Sequence, residues 1–330
     1  MTDQLLEATG LRVEFGTGDS SFEPVDGVSL RVDRGGSLGI VGESGSGKTL
    51  TLRALLGLLP ANARLAGGTV RFARNGNLAE ERPEQLRGSG IAMVFQEPMT
   101  ALNPLMRTGD LVADAYRATH NCSRQEAREN ALRVMREVRI PAAEERARAY
   151  AHQLSGGLRQ RMMIAVALAS EPQLLLCDEP TTALDVTVQQ QILDLLREIR
   201  ASRGLAIIYV THDLAVVGDV ADRLAVMYAG RVVEEGPVNE VLSAPRHPYT
   251  HSLLRSVPAI NRSPDTLSSI PGTPPDPRAF PSGCRFAPRC SLSRADCLAA
   301  SYELIPLDRG RATACIHPDE VAPPAAELDG

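Results

Sequence analysis

The chain has 330 residues, which suffice for one large domain or for a domain with an appendage, and 43% of them are hydrophobic, enough to form a core. Its formal net charge of −5 argues against nucleic acid as the main partner. The sequence has no secretory leader pattern and no apolar run of membrane-spanning length, so we expect the chain to be soluble by itself.

A glycine-rich segment contains the only lysine of the chain, Lys48; every other residue among the 35 basic ones is arginine. A slim ammonium group can pass close to the backbone and reach the β- and γ-phosphates of a nucleotide as a point charge, which a planar guanidinium does poorly. The segment matches the phosphate-loop pattern G-x-x-x-x-G-K-[ST] at every fixed position and reads Gly42-Glu43-Ser44-Gly45-Ser46-Gly47-Lys48-Thr49.

The chemistry of this segment and its flanks predicts a nucleotide-binding loop. The glycines let backbone N–H groups turn inward as an anion nest, the hydroxyl of Thr49 is offered to Mg²⁺, and the following helix directs its positive end at the phosphates. The apolar run Ser37–Val41 predicts a buried strand before the loop, and Thr51–Leu59 predicts a helix after it.

Farther along, strands and helices alternate up to about residue 255, which predicts an α/β fold. The stretch from Arg107 to Arg148 is charged and helical in pattern, and it predicts a helical insert. After Pro258 the chain is rich in proline and lacks a strand pattern, so we expect an extended linker or tail without a core. Continuous apolar runs of strand length, typical of strands buried on both faces, lie at 93–95, 173–177 and 205–210.

Two acidic residues, Asp178 and Glu179, follow one of these apolar runs. A buried strand that ends in carboxylates is expected to deliver them beside the phosphate loop. Asp178 would bind Mg²⁺, through water or through the Thr49 hydroxyl, and Glu179 would align or deprotonate the attacking water. The alternative is a solvated acidic pair at a strand end, which the phosphate loop makes less favoured.

A third motif is Leu154-Ser155-Gly156-Gly157-Leu158-Arg159-Gln160. A hydroxyl and bare backbone at a helix N-terminus form an anion site. Ser155 could instead be an ordinary N-cap, but capping alone requires neither the double glycine nor the glutamine. The segment resembles the Leu-Ser-Gly-Gly-x-x-Gln signature of the ATP-binding subunits of ABC transporters. In that family, Ser155, Gly156 and Gly157 would meet the γ-phosphate of ATP held by the opposite subunit.

The resemblance covers residues 5–255 and implies roles for four more residues. Phe15 matches the aromatic residue that stacks on adenine, although the family more often has tyrosine and the alternative is a core residue. Gln96 matches the loop glutamine that contacts Mg²⁺ and water. Asp185 matches the loop that crosses the dimer interface, and His212 matches the switch histidine that contacts the γ-phosphate.

Two segments, Phe95–Pro104 and Ala244–Thr250, resemble the ATPases of dipeptide, oligopeptide and nickel importers. This resemblance implies an ATPase at the cytoplasmic face of the membrane that energises peptide import, with nickel or another small solute as the alternative. It also implies a second ATPase subunit, identical or homologous, two transmembrane permease subunits and an extracellular substrate-binding protein. Each of two ATP molecules would lie between Lys48 of one subunit and Ser155 of the other.

Two other classes of ABC protein are alternatives to a transporter ATPase. A soluble ATPase that remodels nucleic acid or ribosomes would be expected to have two nucleotide domains, a long coiled-coil insert or a basic face, and the sequence predicts none of these. A regulatory subunit without catalysis would lack the glutamate or the histidine, whereas Glu179 and His212 are both present.

We therefore expect an ABC-type P-loop domain over residues 1–255, with a helical subdomain at about 97–157, and a cysteine-containing tail over 256–330. Six cysteines without a secretory leader argue for thiols or metal ligands rather than disulfides. The spacing of the tail cysteines matches neither common zinc sites nor ferredoxins. In the resembling importers such a tail carries a [4Fe–4S] cluster; zinc, with His317 as a further ligand, and free thiols are the alternatives. The four cysteines are Cys284, Cys290, Cys297 and Cys315.

Overall fold

The computed structural model describes residues 3–18, 21–74, 76–182, 184–256, 270–301 and 303–322. The chain divides into two compact units, and the α/β class predicted from the sequence is confirmed. We call them the helical unit, which comprises Met1–Leu5, Val32–Gly36 and Glu81–Val210, and the phosphate-loop unit, which comprises Leu6–Arg31, Ser37–Glu80 and Thr211–Gly330.

The strands and α-helices of the described residues are each numbered in chain order. The strands are β1 (Gln4–Phe15), β2 (Phe22–Asp33), β3 (Ser37–Val41), β4 (Ala63–Arg74), β5 (Asn77–Glu80), β6 (Ile91–Val94), β7 (Leu174–Asp178), β8 (Ala206–Thr211), β9 (Arg223–Tyr228), β10 (Arg231–Pro237), β11 (Ile305–Pro306) and β12 (Ala312–Thr313). The α-helices are α1 (Lys48–Leu55), α2 (Pro98–Ala101), α3 (Thr108–Arg117), α4 (Arg124–Glu137), α5 (Ala143–Arg146), α6 (Gly156–Ala169), α7 (Val186–Arg203), α8 (Leu214–Val220), α9 (Val238–Ser243) and α10 (Pro248–Arg255).

The helical unit is built around the parallel strands β6, β7 and β8. Ile91 of β6 pairs with Leu174 of β7, which pairs in turn with Ala206 of β8. Every residue of these strands is buried, as expected for parallel strands that are covered on both faces. The predicted helical insert is confirmed as α3, α4 and α5, and both α3 and α4 pack against α6.

The phosphate-loop unit contains two arrangements of strands. An antiparallel sheet has the order β2-β1-β4-β5. In the second arrangement, β3 pairs in parallel with β9, and β9 pairs antiparallel with β10. The tail adds β12 to β10 and β11 to β12, both antiparallel. These tail strands have two residues each, too few for an alternating pattern, and the sequence did not predict them.

The described part of the tail shares the core of the phosphate-loop unit, which corrects the expectation of a tail without a core; the linker predicted just after Pro258 lies outside the described residues. Phe286 is 2% exposed. Its ring centroid lies 5.2 Å from that of Tyr228 and 5.4 Å from that of Tyr249, at steep angles in both cases. Rings at such distances and angles form favourable edge-to-face contacts. The proline-rich composition predicted an extended segment, but the buried side chain of Phe286 anchors this segment in the core.

The strand and helix around the phosphate loop have the predicted order, but the helix is shorter. Strand β3 covers Ser37–Val41, as predicted. Helix α1 begins at Lys48 and ends at Leu55, whereas the apolar spacing predicted a helix that continues to Leu59. The chain turns at Gly57, whose φ of 60° is left-handed, so the last apolar residues lie outside the helix. Within the described part of the chain, no helix combines the length and the apolar character needed to span a membrane.

Candidate functional site

The loop between β3 and α1 requires glycine at two positions. At Gly42 a Cβ atom would lie 2.1 Å from the carbonyl oxygen of Met227, a distance at which only the absence of a side chain avoids a clash. Gly47 has a φ of 98° and immediately precedes α1. This left-handed conformation costs little for glycine and much for other residues. The two glycines therefore allow the loop to turn tightly into the N-terminus of α1.

The charged amino group of Lys48 lies against the backbone of the phosphate loop. The residue is 5% exposed, and Nζ donates hydrogen bonds to the carbonyl oxygens of Gly42 at 2.8 Å and Glu43 at 2.9 Å. The carbonyl oxygen of Ser46 accepts a hydrogen bond from the N–H of Gly230 at 3.0 Å, which fixes the middle of the loop. An ammonium group at a helix N-terminus attracts an anion, and phosphate is the anion that such loops bind.

The other predicted phosphate ligands occupy the same loop. Ser44 and Gly45 are exposed at its tip, Ser46 is buried, and Thr49 is half-buried in the first turn of α1. Gly45 has a φ of 80°, and an added Cβ atom there would meet no neighbouring atom. Glycine is therefore favoured at this position by the left-handed backbone conformation and not by a lack of space. The sequence prediction of a phosphate-binding loop therefore matches the local geometry.

Phe15 ends β1 and is half-buried rather than part of the core. Its ring stacks on that of Phe22, with 5.5 Å between the centroids and 20° between the planes. The guanidinium of Arg278 lies 5.0 Å from the centroid of the Phe22 ring. The sequence reasoning missed Phe22; its signal is an aromatic residue at the start of the strand next to that of Phe15. A planar base could stack on an aromatic ring of this pair.

The two acids at the end of β7 are in different surroundings. Asp178 is 2% exposed and ends the strand, whereas Glu179 is half-buried just beyond it. Glu179 has a φ of 45°, which is uncommon for a residue with a side chain. Its backbone N–H donates to the carbonyl oxygen of Val210 at 3.0 Å. Cys177, just before them, is fully buried, and burial raises the pKa of its thiol, as expected for an unreactive cysteine.

The carboxylate of Glu179 is held by two side chains of the helical unit. One oxygen, Oε2, accepts hydrogen bonds from Oγ1 of Thr182 at 2.9 Å and from Nε2 of Gln96 at 3.3 Å. The structure thus brings together two residues that the sequence assigned to catalysis, Gln96 and Glu179. Thr182 was not predicted; its signal is a hydroxyl three residues after the acid. Two donors on one oxygen orient the carboxylate, which is what a group that positions water requires.

The signature segment precedes α6 and presents Ser155 to solvent. Ser155 is the N-cap residue of α6, but its side chain makes no capping hydrogen bond, so an ordinary side-chain cap does not explain it. Gly156 is exposed as well. Gly157 has a packing role, because a Cβ atom there would lie 2.9 Å from Cγ1 of Val188 on α7. The exposed hydroxyl and bare backbone at this helix start fit an anion site.

Asp185 and His212 lie in different units. Asp185 is the N-cap of α7, where Oδ1 accepts a hydrogen bond from the N–H of Val188 at 2.9 Å. This capping role was not predicted, and it coexists with the predicted interface role because Asp185 is exposed. His212 directly follows β8 and is exposed.

The predicted nucleotide residues are divided between the two units. The phosphate-loop unit carries Phe15, Ser44, Gly45, Ser46, Gly47, Lys48, Thr49 and His212. The helical unit carries Gln96, Ser155, Gly156, Gly157, Asp178, Glu179 and Asp185. The predicted Mg²⁺ ligands Thr49, Gln96 and Asp178 are split in the same way, and their joint role remains a prediction.

The four tail cysteines line one cavity in the phosphate-loop unit, together with His247 and Phe286. Burial raises the pKa of Cys315 to about 11, and the neighbouring cysteines add to this rise. The pKa values of Cys284 and Cys290 are raised for the same two reasons. Four partly buried thiolates would therefore repel one another, and a bound cationic group would offset that repulsion.

A smaller group of candidate metal-binding residues includes Cys297 and His317, which line this cavity. Among the described residues, ligand atoms of Asp296, Cys297 and His317 lie within 4.8 Å of one another. Nε2 of His317 and Oδ2 of Asp296 are 2.9 Å apart. His317, named from the sequence as a further zinc ligand, is thus near one of the four cysteines. The three donor atoms are close enough together to bind a single metal ion.

Comparisons with known proteins agree with this geometry. Residues 25–182 match the ABC transporter family model, and residues 233–297 match the model of the oligopeptide/dipeptide transporter C-terminal region. The chain is 45% identical over 325 residues to the oligopeptide transport ATP-binding protein OppD of Escherichia coli, covering 96% of this chain and 94% of OppD. It is 44% identical over 316 residues to a putative peptide import ATP-binding protein of Brucella melitensis, covering 95% of each chain.

Solved structures give the same fold. The chain resembles an ATP-binding cassette solved as a dimer in a post-hydrolysis state with ADP and phosphate, with a TM-score of 0.62 and 27% identity. This match covers 71% of the chain and 99% of the cassette. A component of the cbiONQ ABC transporter complex from Clostridium perfringens has a TM-score of 0.61 and 28% identity, covering 73% of this chain and 91% of its own.

Proposed function

The chain belongs to the ATP-binding subunits of ABC transporters, in the oligopeptide and dipeptide branch, and from this membership we propose that it hydrolyses ATP to energise peptide import. The observation that carries the proposal is the phosphate loop, where a buried Lys48 is held by the loop's own carbonyl oxygens at the start of α1. Such a loop binds the β- and γ-phosphates of a nucleoside triphosphate. The stacked rings of Phe15 and Phe22 would take the base.

Glu179 is proposed as the group that orients or deprotonates the attacking water. Its support is the pair of hydrogen bonds from Thr182 and Gln96, which holds the carboxylate in one orientation. Asp178, Thr49 and Gln96 would hold Mg²⁺, whose charge offsets that of the phosphates. His212 would contact the γ-phosphate. These groups together suit an in-line transfer of the γ-phosphoryl group to water.

The signature segment is proposed to act on the nucleotide of a second ATPase subunit. Its support is the exposed Ser155, whose hydroxyl is not used for capping, and the exposed Gly156. Asp185 would lie at the same subunit contact. A dimer of this kind would close head to tail over two ATP molecules and reopen after hydrolysis. The second subunit would be a copy of this chain or a homologue.

Docking to a transmembrane permease is proposed for the segment that follows Gln96. Its support is two exposed apolar side chains, Met99 at 45% and Leu105 at 86% exposure. Large exposed apolar side chains would add contact area at such a docking site. The chain would then work peripherally at the cytoplasmic face of the membrane, and an extracellular binding protein would deliver the peptide.

The tail is proposed to bind a [4Fe–4S] cluster through Cys284, Cys290, Cys297 and Cys315. Its support is the shared cavity and the raised thiol pKa values of Cys284, Cys290 and Cys315, which burial causes and neighbouring cysteines increase. A [4Fe–4S] cluster needs one thiolate for each iron, and four cysteines line the cavity. The bound group would supply a covalent staple rather than redox chemistry.

The metal proposal has a direct test. Protein purified without oxygen should be brown and contain about four iron and four sulfide per chain. Cys290→Ser should loosen the tail and speed its proteolysis, while Cys122→Ser, outside the tail, should leave iron content and proteolysis unchanged. If the protein is colourless and contains one zinc, the tail binds a zinc ion and not a cluster. If the tail is ordered without any metal, neither the cluster nor the zinc ion is bound.

The transport proposal is tested on the assembled transporter. The chain should co-purify from membranes with permease subunits that mass spectrometry identifies. In proteoliposomes, a peptide-loaded binding protein should raise the ATPase rate, and Lys48→Ala should abolish that rise. If Ni²⁺ raises the rate and peptide does not, the nickel alternative replaces peptide import. If neither an attached permease nor Mg²⁺-dependent ATPase activity is found, the proposal fails.

A further inference from the structure

Glu43, the second residue of the phosphate loop, links the loop to two distant parts of the chain. Its carbonyl oxygen accepts a hydrogen bond from Nζ of Lys48 at 2.9 Å, and its backbone N–H donates to the hydroxyl of Tyr249 at 2.8 Å. Its carboxylate forms two parallel bonds with the guanidinium of Arg289, at 2.7 Å and 3.0 Å. Glu43 therefore joins the lysine of the loop to α10 and to the tail.

Arg289 is itself fixed on several sides. Its side chain is 4% exposed. Nε donates to the carbonyl oxygen of Pro271 at 2.9 Å, and Nη2 donates to that of Ile270 at 3.3 Å. The hydrogen bond to Glu43 raises the pKa of Arg289, with a smaller contribution from Tyr228. A guanidinium held in this way presents a rigid fork to the carboxylate, which a lysine could not reproduce.

We propose that Arg289 is a positioning residue of the nucleotide site, which neutralises Glu43 and fixes the phosphate loop in the conformation that binds ATP. The inference rests on the proposed function of the loop. Its first physical reason is electrostatic, since an uncompensated carboxylate in the loop would repel the phosphates. Its second reason is entropic, because a loop that is already ordered loses less freedom on binding.

The position of Arg289 depends on the cysteine-bearing segment of the tail, since the next residue is one of the four cysteines. The same segment reaches the loop by a second route. Arg285 donates through Nη1 to the carbonyl oxygen of Ala229 at 2.5 Å, and the N–H of the adjacent Gly230 donates to the carbonyl oxygen of Ser46 at 3.0 Å. Order in this segment therefore supports the loop at both Glu43 and Ser46.

The test measures the affinity of the full chain for a fluorescent ATP analogue. Arg289→Met keeps the apolar stem but removes the donors, and the dissociation constant should rise about tenfold, as for loss of a charge-assisted hydrogen bond. Arg289→Lys keeps the charge without the fork and should give a smaller rise, about threefold. The conservative variant also serves if Arg289→Met does not fold.

A double-mutant cycle separates positioning from general support of the tail. If Arg289 acts through Glu43, Arg289→Met should have little further effect on affinity in a Glu43→Gln background. If Arg289 only stabilises the tail, the loss should be the same in both backgrounds, and the proposal is overturned. Limited proteolysis of each variant records the order of the tail independently.

The chain offers a matched control in Arg294. This arginine forms an ion pair with Glu320 within the same tail and is 52% exposed. Arg294→Met should leave the dissociation constant within twofold of the wild type, and an equal loss there would also overturn the proposal. If the wild type and Lys48→Ala bind the analogue equally, the proposed function itself fails. If only Lys48→Ala loses binding and Arg289→Met does not, the present inference alone fails.

Discussion

The phosphate loop and the signature segment both present backbone N–H groups at the start of a helix, yet the structure supports them differently. Lys48 is buried and bonded to the loop's own carbonyl oxygens, and Glu43 is bonded to Arg289 and Tyr249. Ser155 is exposed, and its side chain makes no capping hydrogen bond. A loop supported from within its own chain is ready to bind an anion, whereas an exposed hydroxyl suits contact with another molecule.

This difference separates binding from closure. Binding of ATP should depend on groups of one chain, chiefly the phosphate loop, and hydrolysis should depend in addition on Glu179 and on contact with a signature segment from a second subunit. Variants that impair one step and spare the other would support this separation of binding from closure, and variants that impair both steps equally would contradict it.

The largest effect is expected for Glu179→Gln. Removal of a positioned catalytic group costs on the order of 10²–10⁴ in rate, whereas the loop that binds ATP is untouched. The variant should therefore bind ATP with normal affinity and accumulate as a closed dimer, visible by gel filtration with ATP and Mg²⁺. Glu97→Gln, at an exposed acid next to Gln96, is the matched control and should hydrolyse ATP normally. Hydrolysis near the wild-type rate in Glu179→Gln would remove the assigned role.

The next effect is expected for Ser155→Arg. A long cation at this exposed position should obstruct closure and lower the hydrolysis rate by about 10², as for loss of an oxyanion donor. Binding of ATP to the monomer should be unchanged, because Ser155 serves the nucleotide of the other subunit. Asn121→Arg adds the same charge at another exposed position of the helical unit and should be neutral. A large loss of monomer affinity in Ser155→Arg would mean that Ser155 acts within its own subunit.

A smaller effect is expected for Lys48→Arg, which keeps the charge. The guanidinium is wider than the ammonium, and two carbonyl oxygens close to Nζ leave a narrow channel for it. Loss of such charged hydrogen bonds should weaken ATP binding by about tenfold to a hundredfold. ATP titration of Lys48→Arg is compared with that of Lys48→Ala, which lacks the charge completely. Normal kinetics for Lys48→Arg would show that charge alone decides binding.

The smallest effect is expected for the pH dependence of folding stability that arises from Glu234, a residue bonded to the start of α10. Glu234 is fully buried and accepts hydrogen bonds from the N–H groups of Arg246 and His247, just before α10. Burial raises its pKa from 4.5 to about 7, although those hydrogen bonds and Arg311 oppose the rise. The protonated form is thus favoured in the folded chain. The contribution of Glu234 to the free energy of unfolding is therefore fully present below pH 4.5, and it is lost as the pH rises through about 7.

Urea unfolding at several pH values tests this linkage. The unfolding midpoint of the wild type should fall between pH 5.5 and 8.5 by an amount that corresponds to about 1–3 kcal/mol. Glu234→Gln cannot titrate, so it should lack this part of the pH dependence. An equal slope for the variant and the wild type would show that another group is responsible.

The sequence predicted those features that depend on short stretches of chain. The order of β3, loop and α1, the apolar strands β6, β7 and β8, and the helical insert follow from local pattern, and the structure confirms them. The end of α1 was predicted too late, because Leu58 and Leu59 continue the apolar spacing after the turn at Gly57. Local periodicity does not reveal a left-handed residue that stops a helix.

The contacts that support the site were not predictable in this way. Arg289 and Glu43 are 246 positions apart, and neither belongs to a pattern that selects the other. Thr182 was near enough to Glu179 to be found, but a hydroxyl three residues after an acid is common and carries little information. Phe286 was hidden in a proline-rich stretch that predicts exposure. Long-range pairs arise from the tertiary fold, and one sequence contains no direct record of them.

The single lysine gives the chain an intrinsic chemical label. Reagents that acylate amines would find the ε-amino group of Lys48 and no other ε-amino group in these 330 residues. Lys48 is 5% exposed and its Nζ is hydrogen-bonded to two carbonyl oxygens, so acylation should be slow, and slower still when phosphates cover the amino group. One modified peptide in a mass spectrum would therefore report how often the loop opens. Trypsin, which usually cuts after lysine and arginine, would map the rest of the surface through arginine alone.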